Sequence, residues 1–157
     1  MGVCPIVRTN HTGLTVNDLD GTARFFRDTL GFRLTSPARQ SGHAVEQMTG
    51  VSGAEIEIVF AIRSDFTIEL MRYHAPEGQR INTLRPCDTG FAHIAFEVED
   101  IDAVVPLMRA AGAVPFSDPQ TVPAGPRKGG RNLYVRGPDN IVIEFQQAPA
   151  GYSDPQF

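Results

Sequence analysis

"HTGLTVNDLD" (residues 11–20) and "HIAFEVEDID" (residues 93–102) are one pattern written twice. Each begins with a histidine, alternates apolar with small or polar residues, and ends in aspartates at matching offsets: Asp18 and Asp20, then Asp100 and Asp102. The offset between copies is constant, since 93 − 11 and 102 − 20 both give 82. Alternation of period two marks a strand with one buried face. Self-similarity at a fixed spacing marks an internal duplication.

Outward from each copy the period changes to that of a helix. Leu19, Ala23, Phe26 and Leu30 recur at helical spacing, with Asp18 placed as N-cap and Gly31 as stop. Ile101, Val105, Met108 and Ala111 repeat this behind Asp100, and Gly112 ends the run. Pro106 lies inside the second pattern and predicts a kink or a late start. Strand-like segments follow, at about 44–49, 54–61 and 66–73 in the first half and 113–122, 131–136 and 141–147 in the second. Turn chemistry in "TGVSG" (49–53) and "RGPDN" (136–140) separates strands. The expectation is an α+β fold of two tandem βαβββ modules. Module 1 covers about 8–75 and module 2 about 90–147, within one domain over 1–157 that ends in a tail at 148–157.

Composition narrows the function. The 157 residues are 41% hydrophobic and 20% charged, ordinary for a globular protein. A net charge of −4 argues against nucleic acid or an anionic membrane as partner. No apolar run approaches the roughly 20 residues that span a bilayer. "MGVCPIVRTN" has no basic stretch ahead of a long apolar core, so no secretory leader is expected. Cys4 and Cys87 form no metal-type pair and are too few for a disulfide scaffold. A cytoplasmic protein is expected.

The alternation places the chemistry. Leu14 and Val16 oppose His11, Gly13 and Thr15, and Ile94 and Phe96 oppose His93, Ala95 and Glu97. In "FTIEL", Phe66, Ile68 and Leu70 oppose Thr67 and Glu69. In "NIVIEF", Ile141, Ile143 and Phe145 oppose Val142 and Glu144. Each half thus carries one histidine on its first strand and one glutamate on its last, away from the apolar face. Two imidazoles and two carboxylates suit a divalent ion of borderline or hard character.

"NHTGLTVNDLDGTARFFRDTLGF", "FTIELMRY", "FAHIAFEVEDID" and "VRGPDNIVIEF" together resemble the vicinal oxygen chelate superfamily over about residues 8 to 147. That superfamily includes glyoxalase I, methylmalonyl-CoA epimerase, extradiol dioxygenases and bleomycin- and fosfomycin-resistance proteins. The resemblance implies paired modules in a cupped, partly closed mixed sheet with helices outside. It implies a metal held by His11, Glu69, His93 and Glu144, the ion being nickel, cobalt, manganese, zinc or iron. Gly137-Pro138-Asp139-Asn140 stands where the family often has Asp-Pro-Asp-Gly-Asn.

Such an ion, with two positions left open, favours proton transfer alpha to a carbonyl through an enolate or enediolate. The expected enzyme is an isomerase, epimerase or lyase of glyoxalase I or methylmalonyl-CoA epimerase type. Glu69 and Glu144 are both ligands and candidate bases, and Glu46 is a further candidate base. The alternatives are an Fe(II) ring-cleaving dioxygenase, whose relatives generally lack a ligand at the Glu69 position, and a metal-free drug-binding protein. The substrate is a small molecule with a carbonyl or vicinal oxygens, acyl-CoA among the candidates. Arg127, Lys128 and Arg131, in the loop "PAGPRKGGRN" (123–132), are candidates to clamp its anionic group. Glu97 and Gln146 are placed to support the ligands. A homodimer is expected.

Overall fold

The computed structural model describes residues 3–152, so the end of the expected C-terminal tail lies outside the described residues. The chain divides into two compact units, one up to Arg80 and one from Ile81.

In the first unit, β1 (Thr12–Thr15) leads into α1 (Leu19–Asp28). There follow β2 (Arg33–Leu34), β3 (Ala38–Ser41), α2 (His43–Thr49), β4 (Glu55–Ile62) and β5 (Thr67–Ala75). The sheet order is β1-β5-β4-β2, with β3 also on β4; β1 and β5 are parallel and the other pairs antiparallel. The second unit repeats this with β6 (Ile94–Glu97), α3 (Ile101–Ala110), β7 (Val114–Pro115), β8 (Gln120–Thr121), β9 (Arg131–Arg136) and β10 (Val142–Gln147). Its order is β6-β10-β9-β7, with β8 also on β9 and β6 parallel to β10. Among the described residues the fold is α+β, two mixed five-stranded sheets with three α-helices.

The caps lie where the sequence puts them. Asp18 accepts from the Gly21 N–H and Asp100 from those of Asp102 and Ala103. In α1, Leu19, Ala23 and Phe26 are buried, as are Ile68, Leu70, Val59 and Ala61 of the sheet beneath. In α3, Ile101 and Met108 are buried, with Leu133, Val135, Ile143 and Phe145 below. Each of the larger of these side chains contributes about 1.5–3 kcal/mol by leaving water, so one face of each sheet is committed to its helix.

Three expectations need correction. Residues 44–49 form α2, not a strand. Gly42 at φ 90° and Gly50 at φ 68° bracket the segment, and Val45 is its buried residue. Val45 joins Ala54, Ile56 and Ile58 in a small cluster with Val51, Phe60, Met71 and Tyr73. The strand expected over 113–122 survives only as β7 and β8, because a bend over 116–118 and Pro119 interrupt pairing. Pro106 neither ends nor delays α3, which starts at its aspartate cap and runs through the proline to Ala110.

Candidate metal centre

In each unit the histidine lies one residue before the first strand and the glutamate on the parallel last strand. Register brings them together. Gly13 is the Cα partner of Glu69, and Ala95 is the Cα partner of Glu144. Histidine, small residue and glutamate therefore share a face. His11 Nε2 lies 3.2 Å from Glu69 Oε2, and His93 Nε2 lies 3.0 Å from Glu144 Oε2. The small partners matter: a Cβ on Gly13 would stand 3.1 Å from the Met71 methyl and 3.6 Å from Glu69 Oε2.

The pairs differ in their surroundings. His11 receives support from Asn10, with Nδ1 to Oδ1 at 2.7 Å, and packs edge-on to Phe60 with centroids 5.8 Å apart. Glu69 has His11 alone as polar partner among the described residues. Glu144 is buried, at 7% exposure. Leaving water costs a carboxylate several kcal/mol unless partners are supplied. Here the Oε1 atom accepts from Asn132 Nδ2 at 2.9 Å and from Gln146 Nε2 at 2.8 Å, while Oε2 faces His93. The His93 ring lies between Phe91 and Tyr134, at 6.0 and 5.1 Å. Burial, with the Glu144 charge adding, pushes the Tyr134 hydroxyl above its ordinary range, so it stays protonated at neutral pH.

Neither glutamate pairs with lysine or arginine among the described residues; each faces a histidine instead. A shielded carboxylate beside an imidazole, with no fixed cation, fits a divalent ion. Each unit presents one imidazole and one carboxylate side by side. No group of three or more His, Cys, Asp or Glu is gathered for an ion among the described residues.

Other expected residues have different partners. The Glu46 carboxylate accepts from the Gly53 N–H at 3.1 Å and ties α2 to the following turn. Arg127 pairs with Glu97, and its guanidinium also lies over the Tyr152 ring at 5.1 Å. Arg131 is bidentate to Asp102, with one contact at 2.9 Å. Lys128 is exposed. Gln146 supports Glu144 as expected from its parity, whereas Glu97 serves Arg127. Asn132, Tyr134, Phe60 and Arg136 were not singled out from the sequence. Alternation in "RNLYVR" places Asn132, Tyr134 and Arg136 opposite the buried Leu133 and Val135, which was the available signal.

Residues 8–145 match the Glyoxalase/Bleomycin resistance protein/Dioxygenase superfamily. The chain belongs to this superfamily. It is 31% identical to a 2-epi-5-epi-valiolone epimerase from Actinomyces sp, over 96% of this chain and 84% of that one. It is 33% identical to a lactoylglutathione lyase from Haemophilus influenzae, over 86% of this chain and 88% of the relative. A glyoxalase family protein from Bacillus cereus shares the superfamily fold at a TM-score of 0.80 and 25% identity, with 96% of this chain and 99% of that chain covered. Superfamily relatives thus include named epimerases and lyases. Among the described residues no helix is long and apolar enough to cross a membrane.

Proposed function

We propose that this protein is a divalent-metal-dependent enzyme that moves a proton alpha to a carbonyl, as an epimerase, isomerase or lyase. The carrying observation is the repeated half-site: His11 with Glu69 and His93 with Glu144, at 3.2 and 3.0 Å in the same strand register. The four side chains would hold one ion, joined within one chain or across a homodimer. Bound there, the ion would act as a Lewis acid on the substrate carbonyl and offset the negative charge that develops on its oxygen. The second carboxylate favours this reading over a ring-cleaving dioxygenase, which resembles a site with a single one.

The glutamates divide the work. Glu144 is clamped by Asn132, Gln146 and His93, which suits a fixed ligand. Glu69 has one partner, and its Oε1 makes no hydrogen bond among the described residues. A base that turns between ligand position and substrate needs that freedom, so Glu69 Oε1 takes the larger part in accepting and returning the proton. The substrate is a small carbonyl compound.

Elemental analysis of the purified chain, beside a His11→Ala/His93→Ala variant, tests the metal. Stoichiometric nickel, cobalt, manganese, zinc or iron that disappears in the variant is expected. Incorporation of solvent deuterium into α-carbonyl compounds then tests the chemistry. Failure of both proteins to hold metal after reconstitution with excess divalent ions would sink the reading.

A further inference from the structure

The chain has 14 lysines and arginines, all among the described residues. Arg27, Arg39, Arg63, Arg85, Arg109, Arg127 and Arg131 make ion pairs. All the others but one are exposed on the surface. The exception is Arg136, which is half-buried and has no carboxylate partner among the described residues. Removing a guanidinium from water without a counter-charge is costly, and a site that keeps one has a use for it.

Its position gives the use. Arg136 shares a face with Tyr134 and Asn132, because Leu133 and Val135 between them are buried in the core. Tyr134 is the Cα partner of Glu144, and Arg136 is the partner of Val142, two residues earlier on β10. Two residues of strand put the Arg136 backbone roughly 7 Å from that of Tyr134. The side chain is held in place: its guanidinium lies over the Phe116 ring at 5.1 Å, and that ring is edge-on to Tyr134 at 6.2 Å. Tyr134 in turn lies against His93. One Arg136 nitrogen reaches Asn140 Oδ1 at only 3.5 Å, so most of its donors remain available. Asn140 and its neighbour Asp139 both sit at positive φ, 58° and 51°, a turn conformation that Asn and Asp adopt more readily than other side chains.

We propose that Arg136 binds an anionic group of the substrate, a carboxylate or a phosphate, and so sets specificity for anionic carbonyl compounds. A planar, fixed guanidinium matches both groups by paired N–H donation. Arg127 and Arg131, whose charges are already met by Glu97 and Asp102, are left to hold their loop. The assignment rests on the proton-transfer reading for the reacting group, and on Arg136 itself for the anion.

The test uses anions alone, so that it does not depend on turnover. The full chain with ¹⁵N label is titrated with sodium phosphate and with sodium succinate at constant ionic strength, following the arginine Nε–H signals by NMR. A saturable shift of the Arg136 signal is expected in the native chain. In Arg136→Gln, anion affinity measured by calorimetry should fall at least tenfold. Arg136→Lys should keep part of it, and Arg24→Gln, on the exposed face of α1, all of it. An unshifted Arg136 signal, or equal affinity in Arg136→Gln, overturns the proposal. The deuterium-exchange assay reports separately. Anion binding at Arg136 with no exchange in any carbonyl compound would count against the proton-transfer reading and leave the anion site standing.

Discussion

At the scale of the residue, the two glutamates look interchangeable in the sequence and are not. Both follow a histidine at a similar distance and both oppose an apolar face. Only the structure shows that Glu144 has two amide donors and that Glu69 has none among the described residues. Their substitutions should therefore separate. Glu144→Gln should lower metal content most, because a neutral amide cannot replace the clamped charge. Glu69→Gln should retain more metal and lose at least a hundredfold in α-proton exchange, in line with removal of a general base. Elemental analysis and deuterium incorporation on the same preparations decide, and the reverse ranking would exchange the two roles. Gly13 is a second residue whose reason lies across the strand. A branched side chain there meets the Met71 methyl and the Glu69 carboxylate. Gly13→Val should thus weaken metal binding about tenfold or more while shifting the thermal midpoint little, as calorimetric titration and a melt would show.

At the scale of the element, legibility followed capping chemistry. Both long helices were readable because an aspartate and a glycine bracket an apolar stripe; the structure uses each aspartate as N-cap, and Gly31 and Gly112 lie at positive φ just past the C-caps Thr29 and Ala111. The same logic applied to 43–49, where Gly42 and Gly50 bracket seven residues, but three apolar residues, Ala44, Val45 and Met48, in so short a run fit a strand as well as a helix. The second strand region was over-read because its apolar residues outweighed its prolines. Since α2 is anchored through Val45, Val45→Ala should cost about 2 kcal/mol from lost burial and the cavity left behind. In a chain of this size that lowers the melting midpoint by about 4–8 °C. A charged element-to-element link lies on β4 and β5. His74 Nε2 is 2.7 Å from Glu57 Oε2, and Arg39 of β3 reaches the same oxygen at 3.4 Å. The His74 hydrogen bond, then Arg39, holds the Glu57 carboxyl below its ordinary value of 4.5. A lowered carboxylate contributes stability above its unfolded value and loses it as pH falls through the folded one. The stability difference between the native chain and Glu57→Gln should therefore shrink as pH falls below about 4.5, read from urea unfolding at several pH values.

At the scale of the whole molecule, the duplication was legible because it rests on strand register. A histidine two residues from a small residue, facing a glutamate across a parallel pair, recurs in both units. What sequence could not supply was the supporting cast, since Asn132, Tyr134 and Arg136 acquire meaning only from strands paired beside them. The proposed joining of the half-sites has a thermodynamic consequence. A ligand that binds only the folded chain, at a hundredfold excess over its Kd, adds about 2.7 kcal/mol. For a chain of this length that raises the melting midpoint by about 5–11 °C. If all four donors serve one ion, His11→Ala and His93→Ala should each remove nearly the whole metal-dependent rise, and the double variant should remove no more. If each half-site held its own ion, each single variant would keep the rise from the intact pair and only the double variant would abolish it. Melts with and without added nickel or manganese, on the three variants and the native chain, separate one shared ion from two independent ones.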